Sequence, residues 1–267
     1  MKSWQATALN TAPDSENEIH SDKLAKEYGF KGGLVPGVTV SAYLLHPVIE
    51  SLGNSWLEKG YANCKITSPL YDGERFEVFS EPLSKSQINT HLVNQEGKII
   101  ANAESRLSEN LPKAPDYRGD ALVQENFQAP HASMAVWEKL KKDGCNAFKF
   151  HWNEENPLLY LSEEELLPEI LQPNKGGKAN LCFLLGCSNW ILAGNSYMNP
   201  WVHLQTKSQN FGSVSMNTRL IAEMSVEDFY EKKGHEFIDV KVNLFEDHSK
   251  LCVMSINLLA IFKLRGN

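Results

Sequence analysis

The sequence of 267 residues predicts an α+β protein in which antiparallel sheets wrap around long buried helices. Residues 38–52 and 179–193 are apolar on most faces, which is typical of helices that are buried all round. A glycine-rich entry precedes each segment, and strand-like segments that end in a hairpin follow it. Because a twisted sheet has an apolar face to cover, one buried helix against each sheet accounts for this order. The near-equal halves therefore predict two similar units.

The first half begins with a strand-like segment and a short helix. Gly29 is predicted to end the short helix, and the glycines of residues 32–37 lead into the buried helix. An antiparallel meander with a turn at residues 94–97 follows. The predicted ranges are 3–9 for an edge strand, 19–28 for the short helix, and 64–69, 75–80, 87–94 and 98–107 for the meander.

A polar segment, residues 109–120, is the predicted linker because it carries Pro112, Pro115 and Gly119. We therefore predict an N-terminal unit over residues 1–120 and a C-terminal unit over residues 121–267. The second unit is predicted to have helices at 134–142, 162–170 and 179–193, and strands at 147–152, 201–207, 216–224, 235–245 and 250–264. Two such units form a pseudo-dimer within one chain, so we expect a monomer or a homodimer.

The composition argues against several classes of function. Twenty-six Lys and Arg against 33 Asp and Glu give a net charge of −7, which disfavours a nucleic-acid interface. No segment is apolar enough to span a bilayer, and the N-terminus lacks a signal core. Five cysteines without CxxC spacing predict free thiols in a reducing compartment, so we expect a cytoplasmic protein. His203, His235 and His248 lack metal-ligand spacing, and we expect neither a metal nor a cofactor.

The segment from residue 15 to residue 38 carries the predicted chemistry. It places Asn17 and His20 in a polar loop before the short helix, and Gly37 at the start of the buried helix. The first backbone N–H groups of a helix are unpaired and carry partial positive charge. They can bind a carbonyl oxygen or an enolate, as in an oxyanion hole. Because Gly37 has no Cβ, we expect a ligand to approach the backbone there closely.

This segment resembles the MaoC-like (R)-specific enoyl-thioester hydratases. Their pattern is close to Asp-x-Asn-Pro-x-His-x-Asp, then Ala-x-x-x-Gly-Phe, then Ile-Ala-His-Gly-Met. The matching residues here are Asn17, His20, Asp22, Ala25, Gly29, Phe30 and Gly37, together with a later Pro-x-x-x-Gly step at Pro69 and Gly73. The resemblance covers the first half well and the second half only in architecture. It implies the hot-dog fold, here as a double hot-dog, and an acyl thioester of coenzyme A or acyl carrier protein as the partner.

The resemblance also implies roles for individual residues. His20 would be the acid/base and Asn17 would orient water or substrate, while Pro36, Gly37 and Val38 would hold the thioester carbonyl. Ser15 occupies the position of the family's catalytic Asp, and a serine hydroxyl is not a base at neutral pH. The sequence therefore matches the hydratase pattern with a degenerate catalytic motif.

Three functions follow from this pattern. The first is a lyase reaction, the hydration or dehydration of an enoyl or 3-hydroxyacyl thioester. The second is thioester hydrolysis with Glu16, Asp14 or His20 as the base, because hot-dog folds also host thioesterases. The third is a non-catalytic module that binds acyl thioesters or a partner protein.

Overall fold

The structure is a computed structural model that describes residues 2–155 and 157–266. Within these residues, ten strands form one antiparallel sheet. The strands are β1 (Lys2–Thr7), β2 (Gly60–Ile66), β3 (Arg75–Pro82), β4 (Gln87–Asn94), β5 (Ile99–Leu107), β6 (Phe148–Trp152), β7 (Val202–Asn210), β8 (Thr218–Lys232), β9 (His235–Glu246) and β10 (Cys252–Lys263). Their order across the sheet is β1-β3-β4-β5-β2-β7-β10-β9-β8-β6. Each half of the chain thus supplies one half of the sheet.

Among the four α-helices of the described residues, the second and the fourth pack against this sheet and against each other. The four are α1 (Asp22–Glu27), α2 (Gly37–Lys59), α3 (Met134–Asp143) and α4 (Leu181–Asn195). Helix α2 packs against β2 to β5 and β7, α4 packs against β6, β8 and β10, and the two helices contact each other. Both are apolar on most faces because each is enclosed by sheet and neighbouring helix. The predicted α+β double hot-dog is confirmed.

The two halves meet where β2 pairs with β7. The register runs antiparallel from Tyr61 opposite Gln209 to Lys65 opposite Gln205. Side chains reinforce the pairing, since Gln205 Nε2 donates to Asn63 Oδ1 at 2.6 Å. This pairing is the pseudo-dimer contact within the chain. The unit boundary at residues 120 and 121 stays a prediction.

The chain crosses between the halves in a segment without helix or strand, residues 111–121, which a buried carboxylate holds. Glu223 of β8 is fully buried. Its carboxylate accepts hydrogen bonds from the backbone N–H groups of Arg118, Gly119 and Asp120 at 2.9, 2.7 and 3.0 Å. These three donors compensate the cost of burying the charge.

Several predicted elements differ in their bounds. Strand β2 lies earlier than the predicted 64–69, and β8 continues to Lys232 instead of ending at residue 224. The segment at 162–170 is not one helix but two 3-10 turns, Glu164–Leu166 and Glu169–Leu171. Pro168 lies between them, and a proline forces the residue before it out of helical geometry. The helix predicted at 19–28 divides at Ser21, whose backbone is extended. Helix α2 continues to Lys59, although Gly53 interrupts its geometry with φ 56° and ψ −144°.

None of the helices in the described residues is long and apolar enough to cross a membrane. The five cysteines are unpaired and buried. Burial raises the pKa of the Cys64 thiol to about 12, so this thiol stays protonated and unreactive at neutral pH.

Replacing Glu223 tests how far the linker segment depends on its carboxylate. We expect Glu223→Ala to lower the free energy of unfolding by about 2–4 kcal/mol, because backbone N–H groups lose a charged acceptor. Urea unfolding followed by circular dichroism measures the change. Glu227→Ala, at an exposed position of the same strand, is the control and should change stability by less than about 0.5 kcal/mol. Equal effects of the two substitutions would contradict the assignment.

Candidate functional site

A cavity of about 230 Å³ lies at the seam between the two halves. The first half lines it with the loop around His20, the start of α2 and the segment after β2. The second half lines it with the start of β7, the end of β10 and Asn189 of α4. No Asp, Glu, Lys or Arg is among the described residues that line this cavity. Its wall is therefore mostly apolar and suits an uncharged acyl group.

A smaller cavity of about 130 Å³ shares part of the same wall. Four residues line both cavities: Asn17, His20, Asn189 and Trp201. The smaller cavity is also lined by Ser15, Glu16, Pro36 and Val38. A ligand that extends from one cavity to the other would pass these four residues.

His20 is oriented by a backbone carbonyl. Its Nδ1 lies 2.7 Å from the carbonyl oxygen of Leu34. Because a carbonyl can only accept, Nδ1 carries the proton and Nε2 of the neutral ring has the lone pair. Burial lowers the pKa of His20 below its ordinary value, and the hydrogen bond to Leu34 opposes this only in part. His20 is thus neutral at pH 7, with Nε2 able to accept a proton.

The loop that carries His20 is held by a close approach of two backbone segments. A Cβ at Gly33 would lie 2.6 Å from the carbonyl oxygen of His20, so only glycine fits there. The Gly33 N–H donates to Asp22 Oδ1 at 2.7 Å. Asn10 Nδ2 donates to the His20 carbonyl at 2.8 Å. Asp22 and Gly33 therefore have a structural part in holding the His20 loop.

Asn17 joins the two halves beside His20. Its side chain is buried, and both ends of its amide bond the backbone of Trp201. Nδ2 donates to the Trp201 carbonyl at 3.0 Å, and Oδ1 accepts from the Trp201 N–H at 3.2 Å. The other proton of Nδ2 faces His20 Nε2 at 3.5 Å, which is a long contact. Asn17 therefore positions the loop, and its second Nδ2 proton is directed at His20 Nε2.

Ser15 is exposed and bonds its own loop. Its Oγ accepts from the Asn17 N–H at 3.1 Å. Within residues 2–155 and 157–266, no carboxylate makes a hydrogen bond or ion pair with His20. Glu16 is the only carboxylate among the described residues that line the smaller cavity. The site is thus a histidine oriented by a carbonyl, without the carboxylate of the hydratase motif.

The start of α2 offers two unpaired donors. The backbone N–H groups of Gly37 and Val38 bond no acceptor in the described part of the chain. Those of Thr39 and Val40 both bond the carbonyl of Pro36. Gly37 lines the larger cavity, and Pro36 and Val38 line the smaller one. The predicted oxyanion donors therefore lie at the cavities.

The space beside Gly37, where we expected a ligand, is filled by the ring of His203. A Cβ at Gly37 would lie 2.6 Å from Cγ of His203, which belongs to β7. The missing Cβ therefore makes room for the His203 ring rather than for a ligand. His203 Nδ1 lies 3.1 Å from Asn189 Oδ1, while Nε2 is buried and without a partner among the described residues. Burial lowers the pKa of His203 to about 3, so the ring is neutral.

Sequence patterns did not identify the residues that the second half contributes to the larger cavity. Asn189, Trp201 and His203 all line the larger cavity. Asn189 is one of three polar residues, with Ser188 and Asn195, in an otherwise apolar helix, and this is only a weak local indication of a special position. Trp201 contributes to the site through the hydrogen bonds of its backbone N–H and carbonyl to Asn17. A sequence pattern does not predict such backbone contacts. In the described part of the chain, no group of three or more His, Cys, Asp or Glu could hold a metal ion.

The sequence matches no protein-family model and no curated protein sequence. The fold is similar to solved structures. RV0216 of Mycobacterium tuberculosis, a double hotdog protein, aligns with a TM-score of 0.55 and 11% identity over 97% of this chain and 95% of that one. The dehydratase domain of RzxB from Pseudomonas fluorescens aligns with a TM-score of 0.53 and 9% identity, over 97% of this chain and 93% of that one.

A provisionally assigned thioesterase II from Thermobifida fusca YX also has a similar structure. It aligns with a TM-score of 0.54 and 10% identity, over 99% of this chain and 93% of that one. At these identities the likenesses show the double hot-dog fold.

Proposed function

We propose that the protein binds an acyl thioester at the seam and hydrates an enoyl thioester, or dehydrates a 3-hydroxyacyl thioester. The observation that carries this proposal is the placement of His20 Nε2. It is the lone-pair nitrogen of a neutral ring in the wall between two cavities, at which unpaired N–H groups of α2 also lie. A base and an oxyanion site are the two features that water addition to an enoyl thioester needs.

The acyl chain would lie in the larger, apolar cavity, and the thioester carbonyl would accept from Gly37 and Val38. In hydration, His20 Nε2 takes a proton from water while the water oxygen bonds C3. The electron pair of the double bond moves to the carbonyl, whose negative charge the N–H groups stabilise. The protonated His20 then returns its proton to C2. Dehydration is the reverse, and neither direction needs a redox cofactor.

Two features support a MaoC-like relationship. The His20 loop, Asp22 and the glycine-rich segment form one hydrogen-bonded unit in front of α2. Asn17 and His20 lie within 3.5 Å of each other. The carrier, coenzyme A or acyl carrier protein, would leave through the smaller cavity, which has Ser15 and Glu16 at its wall.

A second candidate function is hydrolysis of the thioester. Glu16 lines the smaller cavity together with His20, whereas Asp14 does not line it. A carboxylate there could activate water for attack on the carbonyl carbon, with the thiol as leaving group. Release of free thiol from a saturated acyl thioester would identify this reaction. Binding without either reaction would identify a non-catalytic module.

Replacing His20 tests the proposed base. We expect His20→Ala to lower kcat/KM for hydration of 2-enoyl-coenzyme A by about 10²-fold or more, because the proton acceptor is removed. Loss of the absorbance of the conjugated thioester, measured with short, medium and long acyl chains, gives the rate. His91→Ala, on β4 in a ring stack with Phe79, is the control and should keep the wild-type rate. Unchanged hydration by His20→Ala would exclude this histidine as the base.

The pH dependence follows from the burial of His20. Hydration needs the neutral ring, and burial lowers the pKa of His20 below 6.5. A base with a lowered pKa loses activity only at lower pH, so kcat/KM should still exceed half of its maximum at pH 6.5 and fall to half of it only below that pH. A pH–rate profile measures this, with circular dichroism at each pH to verify folding. A decrease that is already complete at pH 6.5 would contradict the assignment.

A further inference from the structure

We propose that Asn189 of the second half is a substrate-binding residue that donates a hydrogen bond from Nδ2 to the thioester carbonyl, and that His203 positions it. The inference rests on the proposed binding of a thioester at the seam. It assigns the second half a direct part in the site and adds a third donor to the two N–H groups of α2.

Asn189 lies in the wall that the two cavities share. Its side chain is half-buried and lines both cavities, as His20 does. Helix α4 is otherwise apolar at most positions, and asparagine is a poor residue for a helix interior. A hydrogen bond to a ligand in the cavities would account for a polar side chain at this position.

The side-chain amide of Asn189 is oriented by His203. Asn189 Oδ1 accepts from His203 Nδ1 at 3.1 Å. The two ends of an amide point in different directions, so this bond directs Nδ2 away from His203. Nδ2 bonds no acceptor in residues 2–155 and 157–266. A ligand oxygen in the cavities is the acceptor that would satisfy it.

His203 acts through Asn189. Its ring lies against Gly37, where a Cβ would be only 2.6 Å from the ring carbon Cγ. The same ring thus contacts the first residue of α2 and holds the side chain of Asn189. Because burial keeps the ring neutral, it carries a single proton, which the bond to Oδ1 uses. This arrangement couples the α2 donors and the Asn189 donor through one rigid group.

The chemistry of a thioester fits these three donors. Its carbonyl oxygen gains negative charge both in water addition and in hydrolysis, and donors that are already oriented stabilise that charge at no reorganisation cost. No cationic side chain is present among the described residues lining either cavity. The carbonyl oxygen of a thioester would therefore accept hydrogen bonds from neutral donors in these cavities.

The test uses hexanoyl-coenzyme A labelled with ¹³C at the carbonyl, which has no double bond to hydrate. Infrared difference spectroscopy reports the C=O stretch, and titration calorimetry reports Kd. We expect the wild-type protein to lower the stretching frequency. Asn189→Ala should reverse part of that shift and weaken binding by about five- to tenfold. Asn189→Asp keeps the acceptor for His203 but lacks the donor, so it should fold and should reverse the same part of the shift as Asn189→Ala.

Further variants separate positioning from structure. His203→Asn retains a donor near the place of Nδ1 and should keep most of the shift, whereas His203→Leu should reverse the part that depends on Asn189. Asn174→Ala, at an exposed asparagine, is the matched control and should behave as wild type. Wild-type protein that does not bind the probe would overturn the proposed function, and this inference with it. Binding with an unchanged shift in Asn189→Ala and Asn189→Asp would overturn this inference alone.

Discussion

The pairing of β2 with β7 is the contact on which the candidate site depends. It joins two half-sheets into one and brings the segment after β2 next to the start of β7. The larger cavity has one wall from each half and would be an open groove without this pairing. Asn17 reinforces the seam because its buried amide bonds both the N–H and the carbonyl of Trp201. Folding of the second half is therefore a condition for the site, even though the motif lies in the first.

Two of the polar groups at the larger cavity, His20 and Asn189, are each oriented by a second group that is buried. The Leu34 carbonyl determines the tautomer of His20, and His203 directs the amide of Asn189. In a low-dielectric cavity such oriented dipoles interact more strongly with a developing charge than they would in water. The close approaches at Gly33 and Gly37 make these orientations sterically possible. The glycines of the motif thus serve the packing of the site as much as the backbone conformation.

Ser15 stands where the MaoC-like motif has Asp, and this difference bears on the strength of His20 as the proposed base. A carbonyl can hold the His20 ring in place, but it stabilises a protonated imidazole less than a carboxylate does. Burial then lowers the pKa of His20 with little to oppose it. The resulting base is weaker, so stabilisation of the enolate by the N–H donors would have to supply more of the catalysis. This relation makes the donors at the start of α2, and the amide of Asn189, central to the proposed chemistry.

Local patterns in the sequence were sufficient for the architecture and for one side of the site. Apolar periodicity located both buried helices, and motif spacing located the His20 loop. The prediction of one helix at 162–170 was wrong because Pro168 interrupts it. The prediction of the buried helix ended too early, since α2 continues past Gly53 where its packing supports it. Only the tertiary structure brought Asn189, Trp201 and His203 to the motif. The bond from Asn17 to Trp201 spans 184 residues of sequence, and no local preference encodes contacts of that separation. They arise from the register of β2 against β7, which the burial of both sheets' inner faces selects.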